Sequence, residues 1–129
     1  MLKTGILNPR VNDLLSRVRH TNTLVIADRG FPFWPDLETI DLSLVDDIPT
    51  VLQVLLAIRQ NFVIGQAWMA KEFLAHNSKF AQAAFAGALH GIPLRHERHV
   101  DFKQRVPQAI GLIRTGDTLQ YANLILQSA

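Results

Sequence analysis

The chain contains no cysteine among its 129 residues. This absence excludes a disulfide framework, a thiolate nucleophile and a zinc site built on thiolates, and it fits a reducing cytoplasm. A chain of this length fits one domain, residues 1–129, that buries a single core without covalent or metal crosslinks.

Long hydrophobic runs are also missing. The N-terminal residues lack the apolar stretch of a secretory signal peptide, and no apolar run approaches the length of a membrane span. We therefore expect a soluble, cytoplasmic protein with no membrane partner.

The chain has no large excess of positive or negative charge, since its formal net charge is +2. The arginines fall into two loose groups without interleaved aromatic residues, whereas a nucleic-acid-binding surface usually carries a denser basic patch. Neither a glycine-rich phosphate-binding motif nor a Gly-x-Ser-x-Gly nucleophile motif is present. We expect no nucleic-acid partner and no nucleotide cofactor.

Helical and extended patterns alternate along the chain. Asn8 and Pro9 are typical of a helix start, and apolar spacing extends that helix to about Arg19. Further helices are predicted from Pro49, with Val51, Leu52, Leu55 and Leu56 inward, and over 79–90 and 100–106. Predicted strands cover 23–28, 39–42, 62–70, 92–97, 109–114 and 119–127, with helix as an alternative for 62–70. This alternation predicts a three-layer α/β/α fold with a central mixed, largely parallel sheet.

A histidine and an aspartate flank the first predicted strand. Asp28 follows the strand at its carboxyl end, where α/β sheets bind ligands. His20 precedes the strand, and histidine titrates closest to neutral pH. If the two side chains met, the carboxylate would orient the imidazole as an acid/base pair. The residues alone favour simpler interpretations, a partner of the helix dipole for the histidine and a turn residue for the aspartate.

A tyrosine and an asparagine lie two residues apart near the C-terminus. In the predicted last strand, Tyr121 and Asn123 would point to the same face. A phenol beside a carboxamide suits a polyhydroxylated ligand, because it offers a ring edge together with donors and acceptors.

Two other groups of residues carry weaker signals. His96 and His99 are spaced to share one helical turn, but Arg95 and Arg98 disfavour a cation and no third ligand is nearby, so we expect no metal. The aromatic segment Phe31 to Trp34 suits stacking on a sugar, and equally a core or subunit contact.

Several segments together resemble the D-ribose pyranase and L-fucose mutarotase family. They occur in the family's order and span nearly the whole chain: Lys3 to Asn8, His20 to Pro32, Ile40 to Leu42, Ile48 to Leu55, His99 to Lys103 and Ile113 to Leu126. His99 before x-x-Phe-Lys and Ala122 between Tyr121 and Asn123 are more similar to the ribose than to the fucose pattern. Residues 57–95 match least.

The resemblance implies a cofactor-free sugar isomerase that interconverts the cyclic forms of a monosaccharide, β-pyranose and furanose in the case of D-ribose. It implies His20 as the proton donor. It also implies Asp28, His99, Tyr121 and Asn123 as substrate-binding residues, and a cyclic homo-oligomer, a pentamer or decamer, with sites near subunit contacts. In such an oligomer Tyr121 and Asn123 could complete a neighbour's pocket, and the aromatic segment would be an interface candidate.

The chain departs from the family pattern at a few positions. Arg19 and Arg29 replace small residues beside His20 and Asp28, and Asp117 replaces a glutamate. The two arginines would lower the histidine pKa, keep the aspartate ionised and favour an anionic substrate if they entered the pocket. We favour instead a position in solvent or at a subunit interface.

Overall fold

Side-chain caps start the first two helices within two residues of the predicted positions. In the computed structural model, which describes residues 1–129, the Asn8 carboxamide oxygen accepts hydrogen bonds from the backbone N–H groups of Arg10 and Val11. The next long helix begins with a capping box, in which Thr50 and Gln53 each bind the other's backbone N–H. Both helices therefore have partners for their first unpaired N–H groups.

The chain forms six strands, five α-helices and one 3-10 helix. In chain order these are α1 (Pro9–Arg17), β1 (Thr23–Ala27), β2 (Thr39–Asp41), α2 (Val51–Arg59), β3 (Ile64–Ala70), α3 (Lys71–His76), α4 (Lys79–Ala88), β4 (Leu94–Glu97), α5 (His99–Arg105), the 3-10 helix (Val106–Gln108), β5 (Gly111–Arg114) and β6 (Leu124–Ser128). None of the helices has the length and apolar character that crossing a bilayer requires.

The strands form one mixed sheet in the order β2-β5-β1-β6-β3-β4. The pairs β2/β5, β5/β1 and β3/β4 are parallel, and β6 runs antiparallel to both of its neighbours. The prediction of a central mixed, largely parallel sheet is therefore confirmed.

Alternate residues of the central strand enter two different cores. Leu24 and Ile26 pack with α1, α2 and α4 on one face, whereas Val25 and Ala27 pack with Phe102 of α5 on the other. All four strand residues are fully buried. This division produces the predicted three layers, with α5 and the aromatic segment covering the second face.

Three local predictions need correction. The last strand begins at Leu124, so residues 119–123 form a loop rather than part of a strand. Leu56 is 47% exposed, because the inward positions of α2 are Val51, Val54, Leu55 and Ile58. Helix α3, which follows β3 without an intervening loop, was not predicted; its first residue has no side-chain cap to mark the start.

Candidate functional site

A cavity of about 440 Å³ opens at the carboxyl ends of β1 and β5. These two strands are parallel neighbours, so the segments that follow them meet at one edge of the sheet. The beginning of α5 and the loop before β6 complete the walls. Four of the five predicted site residues line this cavity: Asp28, His99, Tyr121 and Asn123.

Asp28 and Asn123 are joined by reciprocal hydrogen bonds. The Asn123 Nδ2 donates to Asp28 Oδ2 at 3.1 Å, and the Asp28 backbone N–H donates to Asn123 Oδ1 at 2.7 Å. The backbone N–H of Gly30 donates to the other carboxylate oxygen at 2.9 Å. The carboxylate therefore has a fixed orientation, and the carboxamide retains one donor and one acceptor position for a ligand.

Burial governs the protonation of Asp28. The residue is 8% exposed, and desolvation raises the pKa of its carboxyl group above 3.8, while hydrogen bonds from Gly30, Asn123 and Phe31 partly oppose the rise. The nearby charge of Asp117 adds to it. Neither adjacent arginine is among the groups that shift the pKa of Asp28, and desolvation is the largest cause. A carboxylate with a raised pKa is a stronger base than a solvated one.

His99 lines the same cavity as this carboxylate. Burial lowers its pKa, and the positive charge of Lys103 lowers it further. Its backbone N–H donates to Glu72 at 2.8 Å, which fixes the first residue of α5. The Nδ1 atom is buried and has no hydrogen-bond partner within the chain.

Tyr121 reaches the cavity from the loop. Its backbone has φ of 57°, a left-handed conformation, and the ring meets His99 edge-on with centroids 5.0 Å apart. Tyr121 and Asn123 thus line one cavity, but the reason is the loop conformation and not the alternation of a strand. Both residues line the same cavity as Asp28 and His99 of their own chain.

His20 lies away from this cavity. It occupies the exposed turn between α1 and β1, at the amino end of the strand whose carboxyl end carries Asp28. Five strand residues at about 3.3 Å each separate the two ends by roughly 16 Å. The adjacent residues Thr21, Asn22 and Thr23 instead line a second, polar cavity of about 240 Å³. His20 and Asp28 therefore do not form a pair within one chain.

The two arginines have different surroundings. Arg19 is exposed at the end of α1, where its guanidinium donates to the backbone oxygen of Ser16. Arg29 lines the cavity, but its side chain is 58% exposed and forms an ion pair with Asp46 at 2.7 Å. Arg29 therefore sits at the rim, where an acidic partner balances its charge.

The remaining candidates separate into different parts of the fold. His96 belongs to β4 and lines a distinct apolar cavity, so it does not share a helical turn with His99. No three His, Asp or Glu side chains cluster as a metal site would require. Within the aromatic segment, Phe31 is buried against Phe102, whereas Phe33 is 72% exposed. The segment thus combines a core contact with an exposed ring.

Asp117 contributes to the cavity through a role that sequence patterns did not reveal. Its carboxylate is 3% exposed and accepts hydrogen bonds from the N–H groups of Val51 and Leu119, each at 2.9 Å. One bond holds the first turn of α2 and the other shapes the cavity loop. The signals in the sequence were an acidic residue following a predicted strand and the glutamate that the resembled family has at this position.

Comparisons with known proteins relate this architecture to sugar-handling proteins. A family model described as the RbsD / FucU transport protein family matches residues 1–129. D-ribose pyranase of Geobacillus thermodenitrificans (strain NG80-2) is 39% identical over 128 residues, which cover 99% of this chain and 96% of that protein. The structure of Bacillus subtilis RbsD complexed with D-ribose matches with a TM-score of 0.93 and 31% identity, covering 100% of this chain and 98% of that one. The crystal structure of the fucose mutarotase in complex with L-fucose from Streptococcus pneumoniae shares the fold, with a TM-score of 0.84, 20% identity, and coverage of 99% and 98%.

Proposed function

The chain belongs to the RbsD / FucU transport protein family, and from this premise we propose that it is an isomerase that interconverts the β-pyranose and furanose forms of D-ribose. The observation that carries the proposal is one cavity in which a fixed, buried carboxylate lies with an unpartnered imidazole, a phenol and a carboxamide. Relatives over the full length are named D-ribose pyranase.

The reaction requires proton transfers at two oxygens of the sugar. Ring opening needs a proton delivered to the ring oxygen and another removed from the anomeric hydroxyl, and closure in the other ring size reverses these steps. Asp28 acts as the acceptor for the anomeric proton, because burial makes its carboxylate more basic. His99 and Tyr121 bind sugar hydroxyls, and Asn123 holds Asp28 in place. Positioned acids and bases contribute roughly 10²–10⁴-fold to such steps.

The charges around the cavity favour a neutral sugar over an anionic one. Asp28 and Asp117 are both buried in its walls, and the one cationic side chain of the lining, Arg29, is paired with Asp46 at the rim. A phosphate or carboxylate group in the cavity would approach two carboxylates without a free cation. We therefore expect D-ribose, rather than ribose 5-phosphate, to bind.

His20 acts as the proton donor across a subunit contact. The residue lies beyond the opposite end of β1 from Asp28, and the strand's ends are roughly 16 Å apart, too far for a hydrogen bond in the same chain. It is exposed beside a polar cavity that a second copy could cover. A head-to-tail contact of this kind, pocket against histidine, generates a closed ring when its rotation closes. We therefore propose a cyclic homo-oligomer, a pentamer or a decamer of two rings.

The test is NMR exchange spectroscopy on D-ribose with and without catalytic amounts of the protein. Faster pyranose–furanose exchange is expected, with little effect on L-fucose and no binding of ribose 5-phosphate. Acceleration of anomer exchange in L-fucose alone would replace this proposal with a fucose-type mutarotase. Binding of ribose without faster exchange would indicate a sugar-binding protein.

A further inference from the structure

Tyr121 occupies a backbone conformation that it would not adopt by itself. Its φ of 57° lies in the left-handed region, which is sterically unfavourable for any L-residue other than glycine. Such a conformation persists only where contacts with the surrounding structure hold the residue in it. Contacts that hold residues 120–122 therefore also determine where the Tyr121 phenol lies in the cavity.

The end of α3 provides one of these contacts through a single carboxamide. Asn77, the residue after the helix, donates from Nδ2 to the backbone oxygen of Phe73 at 3.0 Å and to that of Gln120 at 2.8 Å. The Asn77 carboxamide thus binds both a terminal carbonyl of α3 and the carbonyl of the residue immediately before Tyr121. Gln82 of α4 donates to the backbone oxygens of Leu74 and Asn77, which holds the end of α3 against α4.

The last residue of α3 provides a second contact. The His76 ring lies against the Tyr121 ring, with centroids 5.2 Å apart and planes inclined by 34°. His76 is exposed and does not line the cavity. Tyr121 therefore has one imidazole neighbour inside the cavity, His99, and another outside it. Any influence of His76 on a bound sugar must act through Tyr121.

We propose that His76 and Asn77 are positioning residues that hold the Tyr121 phenol in its sugar-binding place. The carboxamide fixes the backbone just before Tyr121, and the imidazole supports the ring from the side away from the cavity. The kinetic consequence rests on the proposed isomerase function, whereas the positioning itself does not. Loss of either contact releases the left-handed residue and weakens sugar binding, while the proton-transfer groups remain intact.

The chain contains matched controls for both side chains. His90 is likewise an exposed histidine, but its ring has no aromatic neighbour. Asn61 donates from Nδ2 to the backbone oxygen of Ala57, four residues earlier in α2, at 2.9 Å. This bond has the same helix-end geometry as the bond from Asn77 to Phe73, without the connection to the cavity loop.

Tyr121 is the only tyrosine of the chain, so its ring gives a single signal after selective ¹³C labelling of tyrosine. We expect His76→Ala and Asn77→Ala to move this signal toward that of an unstructured tyrosine, and His90→Ala and Asn61→Ala to leave it in place. This measurement needs no sugar and no turnover. A Tyr121 signal that is unchanged in both His76→Ala and Asn77→Ala would overturn the proposal.

Ribose exchange kinetics test the consequence for the substrate. His76→Ala and Asn77→Ala should raise KM about two- to tenfold, the range expected from losing one ring contact or one hydrogen bond, with kcat little changed. His76→Phe should restore KM, because it keeps a ring against Tyr121. A fall in kcat with unchanged KM, or a failure of His76→Phe to rescue, would contradict the positioning role. If the wild-type protein did not accelerate ribose exchange, the proposed function would fail while the Tyr121 signal still decided the positioning.

Discussion

Mixing two inactive variants tests whether the site is shared between copies of the chain. His20→Ala keeps the Asp28 cavity, and Asp28→Asn keeps the exposed histidine. Each variant alone should lose ribose exchange by roughly the 10²–10⁴-fold that a positioned acid or base contributes. The roughly 16 Å between the two ends of β1 excludes a direct pair within one chain, because catalytic hydrogen bonds span about 3 Å.

The fraction of ribose-exchange activity that mixing should restore can be calculated. In a ring assembled at random from equal amounts of the two variants, a junction works only when one copy supplies an intact cavity and the next supplies an intact histidine. Each condition holds with a probability of one half, so about a quarter of the junctions regain full activity. A site contained in one chain would regain nothing, because every chain carries one of the two defects.

The assay is NMR exchange spectroscopy on D-ribose with the two variants co-expressed, or unfolded and refolded together. Exchange near a quarter of the wild-type rate is expected, against background rates for each variant assembled alone. A mixture no more active than the sum of its parts would refute the shared site. Full activity of His20→Ala by itself would remove His20 from the donor role, and a monomeric mass in solution would exclude the ring.

Three further variants probe groups that shape the cavity. Since folding raises the pKa of Asp28, its contribution to stability is full below the unfolded value of 3.8 and is lost as pH rises through the folded pKa. The stability of wild type relative to Asp28→Asn should therefore decline above pH 3.8 in denaturant titrations, and an increase would contradict the desolvation argument. Asp117→Ala should lower the free energy of unfolding by about 1–3 kcal/mol, because the N–H groups of Val51 and Leu119 lose their acceptor. A Cβ on Gly116 would lie 2.3 Å from the Val45 backbone oxygen. Gly116→Ala should therefore lower the free energy of unfolding by about 1–3 kcal/mol in the same titration. An unchanged midpoint would show that the loop shifts to accommodate the methyl group.

Local patterns determined most of the framework. Caps at Asn8 and Ser78 begin their helices in the predicted places, and the Thr50 cap starts α2 two residues after the predicted Pro49. A continuous apolar run locates the central strand β1. These signals act over a few residues, so they can be recognised without knowing what packs against them. The position of Asp28 at the carboxyl end of β1 can also be predicted locally, because Asp28 is the residue that directly follows the strand in the sequence.

The loop that holds Tyr121 shows where local patterns stop being sufficient. The apolar residues from Leu119 onward resemble a strand, but residues 119–123 form a loop whose backbone is bound by one nearby and one distant side chain. Asp117 binds the N–H of Leu119, and Asn77 binds the carbonyl of Gln120 from 43 residues away. A hydrogen-bond partner so remote in the sequence has no signature in the segment itself.

By itself, then, the sequence determined most of the elements, the α/β class and the chemical types of the candidate residues, because these depend on neighbours along the chain. Only the tertiary structure decided that Asp28, His99, Tyr121 and Asn123 share one cavity and that His20 lies at the opposite end of β1. It also decided that desolvation, rather than the adjacent arginine, governs the pKa of Asp28. The distances between these side chains and their burial depend on the packed chain, because they arise from contacts between segments that are far apart in the sequence.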